Sequence, residues 1–115
     1  MDIQEAVKIL KSKPNQMNFE QLNNDTLVWA NTKGILKPEN HLKQMGKMVS
    51  EVGELCDEII KDNKEEQEKE LGDVYVTLSI LAKQLGLDPI QCFKIAYEKI
   101  SQRKGVTNNG VFIKE

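Results

Sequence analysis

The spacing of apolar residues along the chain predicts helices almost throughout. Ile3, Val7 and Leu10 recur every three or four residues, which is the repeat of one face of an α-helix. Alternation of apolar and polar residues, the pattern of a half-buried strand, does not persist over any useful length. Capping residues and helix breakers bound five predicted helices, at residues 2–12, 18–34, 38–61, 63–86 and 88–104.

The helical pattern ends near residue 105. Asn109 and Gly110 are a pair typical of a turn, and a short extended piece follows them. A length of 115 residues suits one domain of ordinary size. We therefore expect a single all-α domain over residues 1–115, with a short flexible or extended tail from about residue 105.

Composition and charge argue against several classes of partner. The formal net charge is -2, so no basic excess points to nucleic acid. The first ten residues do not resemble a signal peptide, and the longest uncharged run, Val74–Ala82, is too short to span a membrane. Cys56 and Cys92 lack metal-like spacing and are expected to be reduced, buried thiols. These features predict a cytoplasmic protein without membrane or nucleic-acid partners.

Two acidic motifs, Glu51-Val-Gly-Glu54 and Glu70-Leu-Gly-Asp73, carry the candidate chemistry. Each includes a glycine inside a predicted helix, where glycine costs about 1 kcal/mol relative to alanine. Acids three residues apart share a helix face, with Cβ atoms about 5–6 Å apart. A chain reversal at Asp62 would set Glu54 level with Glu70, and Glu51 level with Asp73. The sequence therefore predicts four carboxylates at one level of an antiparallel helix hairpin.

Four adjacent carboxylates need compensation, because like charges at that distance raise one another's pKa. Oxygen ligands favour Mg²⁺, with Mn²⁺ as a substitute, over zinc or copper. A carboxylate-bridged di-iron site would need Glu-x-x-His pairs, and the single histidine, His41, lies away from both motifs. The alternative is a solvated acidic helix face. The uncharged run after Asp73 argues against that alternative, because it places Glu70 and Asp73 at the mouth of a buried helix.

The same run, Val74–Ala82, bears on assembly. A helix that is apolar on every side is buried on every side. A chain this small cannot enclose such a helix alone. We therefore expect a helical bundle with a central antiparallel helix hairpin, completed by oligomerisation.

The acidic motifs resemble those of a known family. Glu-x-x-Glu followed after a variable gap by Glu-x-x-Asp is similar to the pattern in the MazG-like nucleoside triphosphate pyrophosphohydrolases. Many members have two adjacent glutamates in the first motif, where this chain has Ser50 before Glu51. The resemblance covers most of the chain and is carried by the stretches LVWANTKGI, KMVSEVGEL, KELGDVYVTLSILAKQLGL and AYEKISQRKG.

The resemblance implies an α-helical homo-oligomer, either a dimer or a tetramer. Its substrate would be a nucleoside or deoxynucleoside triphosphate, cleaved between the α and β phosphates to the monophosphate and pyrophosphate. The cofactor would be Mg²⁺, and the four acids of the motifs would serve both metal binding and catalysis. These residues are Glu51, Glu54, Glu70 and Asp73.

Four further residues are candidates for contacting the substrate. Lys47 lies one turn before Glu51, where it could either contact phosphate or form a salt bridge with Glu51. Lys99 and Arg103 form a basic pair four residues apart on the fifth predicted helix, and the resemblance favours phosphate contact for both. Trp29 can either stack on a base or pack in the core or an interface.

Two other functions are consistent with the sequence. One is a non-catalytic helical interaction protein whose acids bind a structural cation. The other is a pyrophosphohydrolase for a related substrate such as phosphoribosyl-ATP. Release of pyrophosphate in the presence of Mg²⁺ separates an enzyme from an interaction module.

Overall fold

Helices form most of the chain, as the apolar spacing predicts. The computed structural model of the protein describes residues 2–12 and 17–115. Pro14, the predicted breaker after the first helix, lies outside these ranges. A short 3-10 helix, Pro38–Asn40, leads directly into the third α-helix. The α-helices are α1 Ile3–Ser12, α2 Phe19–Thr32, α3 His41–Ile60, α4 Lys64–Gln84 and α5 Pro89–Ser101.

Polar side chains cap three of the helices where the sequence predicts them. The side chain of Asn18 accepts a hydrogen bond of 2.8 Å from the backbone N–H of Gln21, at the start of α2. Asn63 accepts one of 3.3 Å from the backbone N–H of Glu66, at the start of α4. Asp88 caps α5 in the same way. Each cap satisfies backbone donors that the first helical turn leaves without an intrahelical partner.

Residues in the left-handed conformation follow the ends of three helices. Gly34 has a φ of 73° after α2 and Gly86 a φ of 76° after α4, a region that side chains with a Cβ rarely adopt. Asp62 has a φ of 57° after α3, and aspartate enters this region more readily than most residues. The chain therefore reverses at the predicted place between α3 and α4.

The last helix ends earlier than predicted. α5 stops at Ser101 rather than near Lys104, so Arg103 lies beyond the helix. Two short strands follow, β1 Gly105–Asn108 and β2 Val111–Lys114, and they pair antiparallel. The segment from residue 105 is therefore a β-hairpin. The sequence predicts its turn and an extended piece, but not the pairing of two strands.

The turn of this β-hairpin has the chemistry that the sequence indicates. Asn109 and Gly110 have φ values of 53° and 76°, the two consecutive left-handed residues of a tight hairpin. Gly105 is required at the base, because a Cβ there would overlap the carbonyl oxygen of Ile113. The protein is thus mostly helical with a small two-stranded sheet. The all-α expectation missed the sheet because four-residue strands are too short to show alternation.

The helix pair α3–α4 lies at the centre of the fold. α2 and α5 pack against α4, and the 3-10 helix contacts both central helices. Among the described residues, the buried apolar side chains are Leu27 and Ala30 of α2 and Ile80 of α4. This core is small for a chain of 115 residues, and many large apolar side chains remain exposed.

Three expectations about the surface can be compared with the structure. The run Val74–Ala82 is only partly covered, since Tyr75 and Leu78 keep 48% and 47% of their surface exposed. Cys56 and Cys92 are both exposed, so the expectation of buried thiols is wrong. In the part of the chain that the structure describes, no helix combines the length and apolar character needed to cross a membrane.

Candidate metal centre

The turn between α3 and α4 fixes how the two acidic motifs face each other. The backbone N–H of Asp62 donates to the carbonyl oxygen of Ile59, and that of Asn63 donates to the carbonyl oxygen of Glu58, each at 3.1 Å. These two bonds close the end of α3 in the pattern that glycine usually forms. Asn63 also caps α4 with its side chain. One short, hydrogen-bonded turn therefore ends α3 and starts α4 with no flexible residues between them.

Two side-chain hydrogen bonds then set the register of α3 against α4. Near the turn, the side-chain amide of Gln67 donates to the carbonyl oxygen of Glu58 at 3.0 Å. Farther along, the side-chain amide of Gln44 donates to the carbonyl oxygen of Thr77 at 3.3 Å. The acidic motifs lie between these two points, so the motif on α3 faces the motif on α4.

Three carboxylates of the acidic motifs meet across the helix pair. One oxygen each from Glu51, Glu70 and Asp73 lies within 4.8 Å of the other two. Glu51 is buried, Glu70 is half-buried and Asp73 is exposed, so the cluster runs from the core to the surface. Divalent cations in proteins sit about 2.0–2.6 Å from their oxygen ligands. Small side-chain adjustments would therefore let one ion bind all three residues.

Glu54 lies beside this cluster rather than inside it. Its side chain is exposed on α3, and its carboxylate is near enough to Glu70 to raise the pKa of that residue. The structure thus brings three of the four predicted ligands together and places the fourth next to them.

Two oxygens of the cluster are buried without a hydrogen-bond partner among the described residues: Glu51 Oε2 and Glu70 Oε2. Ionised carboxylates only accept hydrogen bonds, so the neighbouring acids can satisfy these oxygens only if one of them holds a proton. Leaving a charged oxygen buried and unpaired is costly, and a bound cation would satisfy both. The all-oxygen donor set suits a hard divalent cation such as Mg²⁺ or Mn²⁺.

The pKa values of the clustered acids also favour a bound cation. Burial, together with the carboxylates of Glu51 and Glu54, raises the pKa of Glu70 to about 7. The pKa of Glu51 is instead lowered, chiefly because Lys47 donates a hydrogen bond to its carboxylate. Without a cation, the cluster therefore retains a proton on Glu70 near neutral pH while Glu51 remains ionised.

Lys47 pairs with Glu51 across one turn of α3. The lysine Nζ lies 3.1 Å from Glu51 Oε1, and this pairing raises the pKa of Lys47. Of the two alternatives for Lys47, the salt bridge is the contact present in the structure. The lysine side chain is 63% exposed, so it remains accessible to an anion bound at the cluster.

The other predicted substrate contacts lie on α2, on α5 and beyond the end of α5, whereas the cluster lies on α3 and α4. Trp29 on α2 is half-exposed, and Lys99 on α5 is exposed. Because α5 ends at Ser101, Lys99 and Arg103 do not form the predicted basic pair on one helix. Within the described residues, neither basic side chain forms an ion pair with an acid of the two motifs.

The two motif glycines have open space around them. A Cβ added to Gly53 or Gly72 would meet no atom of the described chain within 4 Å beyond its own helix backbone. Close packing of α3 against α4 therefore does not explain either glycine. Gly72 instead lines a groove of about 420 Å³ that runs along α2 and α4 and includes Asp73 in its wall. No sequence pattern indicates this groove, because the groove depends on where α2 packs.

Comparisons with known proteins agree with this geometry. Residues 39–107, more than half of the chain, match the model of the MazG nucleotide pyrophosphohydrolase domain. That span contains both acidic motifs. The chain is also 31% identical over 73 residues to a protein of Haemophilus phage HP1 (strain HP1c1), described as an uncharacterized 18.2 kDa protein in the rep-hol intergenic region. The match covers 64% of this chain and 45% of the phage protein, so it spans less than half of that relative. No solved structure was found to match the chain.

Proposed function

This chain belongs to the MazG nucleotide pyrophosphohydrolase family, and we propose on that premise that it is a Mg²⁺-dependent nucleoside triphosphate pyrophosphohydrolase. The reaction would cleave the triphosphate between its α and β phosphates and yield the monophosphate and pyrophosphate. The observation that carries the proposal is the cluster of Glu51, Glu70 and Asp73, with two buried oxygens that lack a partner in the described part of the chain.

The residues of the cluster suit this chemistry. Phosphoanhydride hydrolysis depends on charge neutralisation and on placing a water in line, more than on covalent participation by the protein. A bound Mg²⁺ would neutralise phosphate charge and lower the pKa of a coordinated water. Glu51, whose pKa is lowered by the hydrogen bond from Lys47, would bind the ion as a carboxylate, and Glu70 would bind it after losing its proton. Asp73 and the adjacent Glu54 extend the ligand set towards solvent, where the triphosphate would arrive, and Mn²⁺ would fit the same oxygens.

Four residues are proposed as substrate contacts. Lys47 is the best placed, because it already lies against a cluster acid and could exchange that partner for a phosphate oxygen. Lys99, Arg103 and Trp29 are proposed on the family resemblance. They lie outside the helix pair α3–α4, so they would contact the substrate along its length or from a second copy of the chain.

We further propose that the active form is a homo-oligomer. The chain exposes 9396 Å², whereas a folded monomer of 13.1 kDa would expose about 6,400 Å². Its radius of gyration is 16.7 Å, against about 13 Å for a globular domain of this length. The excess is about 3,000 Å² for one chain. Obligate interfaces bury roughly 2,000–5,000 Å² summed over both partners, or about 1,000–2,500 Å² for each chain, so the excess surface is large enough to supply one.

The oligomer can be tested by light scattering over a concentration series. We expect a mass of at least two chains at micromolar concentration, with unfolding and dissociation occurring together on dilution. A folded monomer that persists at micromolar concentration would show that the exposed apolar side chains, Leu78 among them, are not subunit contacts.

The enzymatic proposal is tested by identifying the products. Incubation with a panel of nucleoside and deoxynucleoside triphosphates and Mg²⁺ should release monophosphate and pyrophosphate in equal amounts, measured by phosphorus NMR. Chelation of the metal should stop the reaction. Formation of a diphosphate with inorganic phosphate would place the cleavage at the other anhydride, and the absence of any hydrolysis would favour the non-catalytic interaction protein. Including phosphoribosyl-ATP in the panel tests the related substrate.

A further inference from the structure

The groove beside the acidic cluster has a lining suited to a nucleobase. Its volume is about 420 Å³, and Asp73 of the cluster forms part of its wall. Phe19 and Tyr75 contribute aromatic rings, and Asn23 and Ser79 contribute polar groups. If the cluster held the phosphates of a nucleotide, the base could therefore enter an adjacent groove that offers both aromatic and polar contacts.

Asn23 is the feature of this groove that packing alone does not explain. Only 6% of the residue is exposed, and its Oδ1 atom has no hydrogen-bond partner among the described residues. A buried polar atom without a partner destabilises the fold, so most such atoms in proteins are paired. Ser79, also buried, contributes a hydroxyl to the same groove. The Asn23 oxygen therefore lacks a hydrogen-bond donor, which a bound ligand could supply.

The aromatic residues of the groove supply the complementary apolar contact. Phe19 of α2 and Tyr75 of α4 meet edge to face, with ring centroids 5.5 Å apart and an interplanar angle of 75°. Each keeps nearly half of its surface exposed. Stacking on aromatic rings is a general way to bind nucleobases, because every base has a π-face. Trp29 is not part of this lining.

We propose that Asn23 binds the hydrogen-bonding edge of the substrate's base in this groove and thereby determines base specificity. A side-chain amide offers an acceptor and a donor side by side, and base edges offer the matching donor and acceptor. The Asn23 oxygen accepts a hydrogen bond, so its partner would be a donor such as an N–H group of the base. The substrate class is a nucleoside triphosphate, and the order of donors and acceptors on the base edge would decide which base is preferred. The inference rests on the proposed function for the identity of the ligand, but it concerns binding rather than cleavage.

The test measures binding, so that it does not depend on hydrolysis. Calorimetric titrations with Mg²⁺ would use the four α,β-methylene deoxynucleoside triphosphates and, as a ligand without a base, inorganic tripolyphosphate. We expect the wild type to prefer one base. Asn23→Ala should weaken binding of that nucleotide about 10- to 100-fold, the effect of losing a buried hydrogen bond, and leave tripolyphosphate binding unchanged. Asn24→Ala, which alters an exposed neighbour on the same helix, should behave as wild type.

Thermal unfolding separates recognition from a structural role. Removing an unpaired buried amide should leave the melting temperature of the ligand-free protein unchanged or raise it. Asn23→Leu has nearly the size of asparagine but lacks both the oxygen acceptor and the amide donor, and it should lose the base preference as well. This second variant keeps the test valid if Asn23→Ala does not fold.

Several outcomes would overturn the inference: a wild type without base preference, a variant that keeps the preference, or parallel loss of tripolyphosphate binding. A change in oligomeric state without a change in preference would assign Asn23 to a subunit interface and overturn it as well. If base-dependent binding through Asn23 is found but no pyrophosphate is released, the inference holds and the proposed catalytic function fails.

Discussion

Replacing Asp73 with asparagine is expected to reduce nucleoside triphosphate hydrolysis by at least about 100-fold, because it removes a charged oxygen from the proposed metal ligands. Glu54→Gln should also reduce hydrolysis. The metal-free protein should remain folded, and in chelator its melting temperature should match or exceed that of the wild type, since the substitution relieves repulsion among the clustered carboxylates. The rise in melting temperature that Mg²⁺ causes in the wild type should disappear in Asp73→Asn.

This combination of results distinguishes a metal ligand from a structural acid. An acid that stabilises the fold through a salt bridge would lower the melting temperature in chelator when it is replaced, and activity would fall only in proportion. Asp57→Asn is the matched control, because it makes the same change of charge at an exposed position of α3 outside the acidic motifs. If Asp73→Asn loses stability in chelator yet still releases pyrophosphate, the metal-site proposal is wrong.

The apparent affinity for Mg²⁺ is expected to fall steeply as the pH decreases below 7. Burial and two neighbouring carboxylates raise the pKa of Glu70 to about 7, so the ion must displace a proton from this residue at lower pH. Displacing one proton weakens the apparent affinity about tenfold for each pH unit below the pKa. Titrations of Mg²⁺ at pH 6 and pH 8 should reveal this difference, and an affinity that does not change over this range would contradict it.

The same raised pKa fixes the sign of the pH dependence of stability without metal. Between the ordinary value of 4.5 and about 7, the folded protein binds more protons at Glu70 than the unfolded chain does. Stability in chelator should therefore be highest below the unfolded pKa and decrease as the pH rises through this window. Glu70→Gln should remove that part of the decrease, whereas Glu98→Gln, at an exposed position on α5, should retain it.

Local signals were enough to predict most of the helix boundaries and the chain reversal. Asn18, Asn63 and Asp88 act as caps through bonds to their own helix, and Gly34 and Gly86 adopt backbone angles that few other residues tolerate. Such effects depend on residues a few positions apart, so they can be recognised in the sequence. The sequence also predicted that the two acidic motifs face each other, because a tight turn allows the helix hairpin only one register.

What could not be predicted depends on packing between distant segments. No periodicity distinguishes buried Glu51 from exposed Asp73, since their burial is set by how α3 and α4 rotate against each other and against α2. Asn23 appears in the sequence as an ordinary polar residue of a helix, and only the packing of α2 buries it. The end of α5 at Ser101 was missed because no glycine or proline follows it directly. The predicted helix therefore included Arg103 incorrectly.

Because the connection from Lys61 to Asn63 is short, the number of residues between the acidic motifs determines which side of each helix carries its acids. One residue inserted into α4 ahead of Glu70 would turn Glu70 and Asp73 by about 100° around the helix axis and move them about 1.5 Å along it. The two acids would then leave the face that meets Glu51. Homologous chains that keep this tight turn but differ in length can keep the metal centre only if both helices gain or lose nearly whole turns together. The gap between the motifs should therefore vary in steps of about seven residues, with the extra turns divided between the two helices.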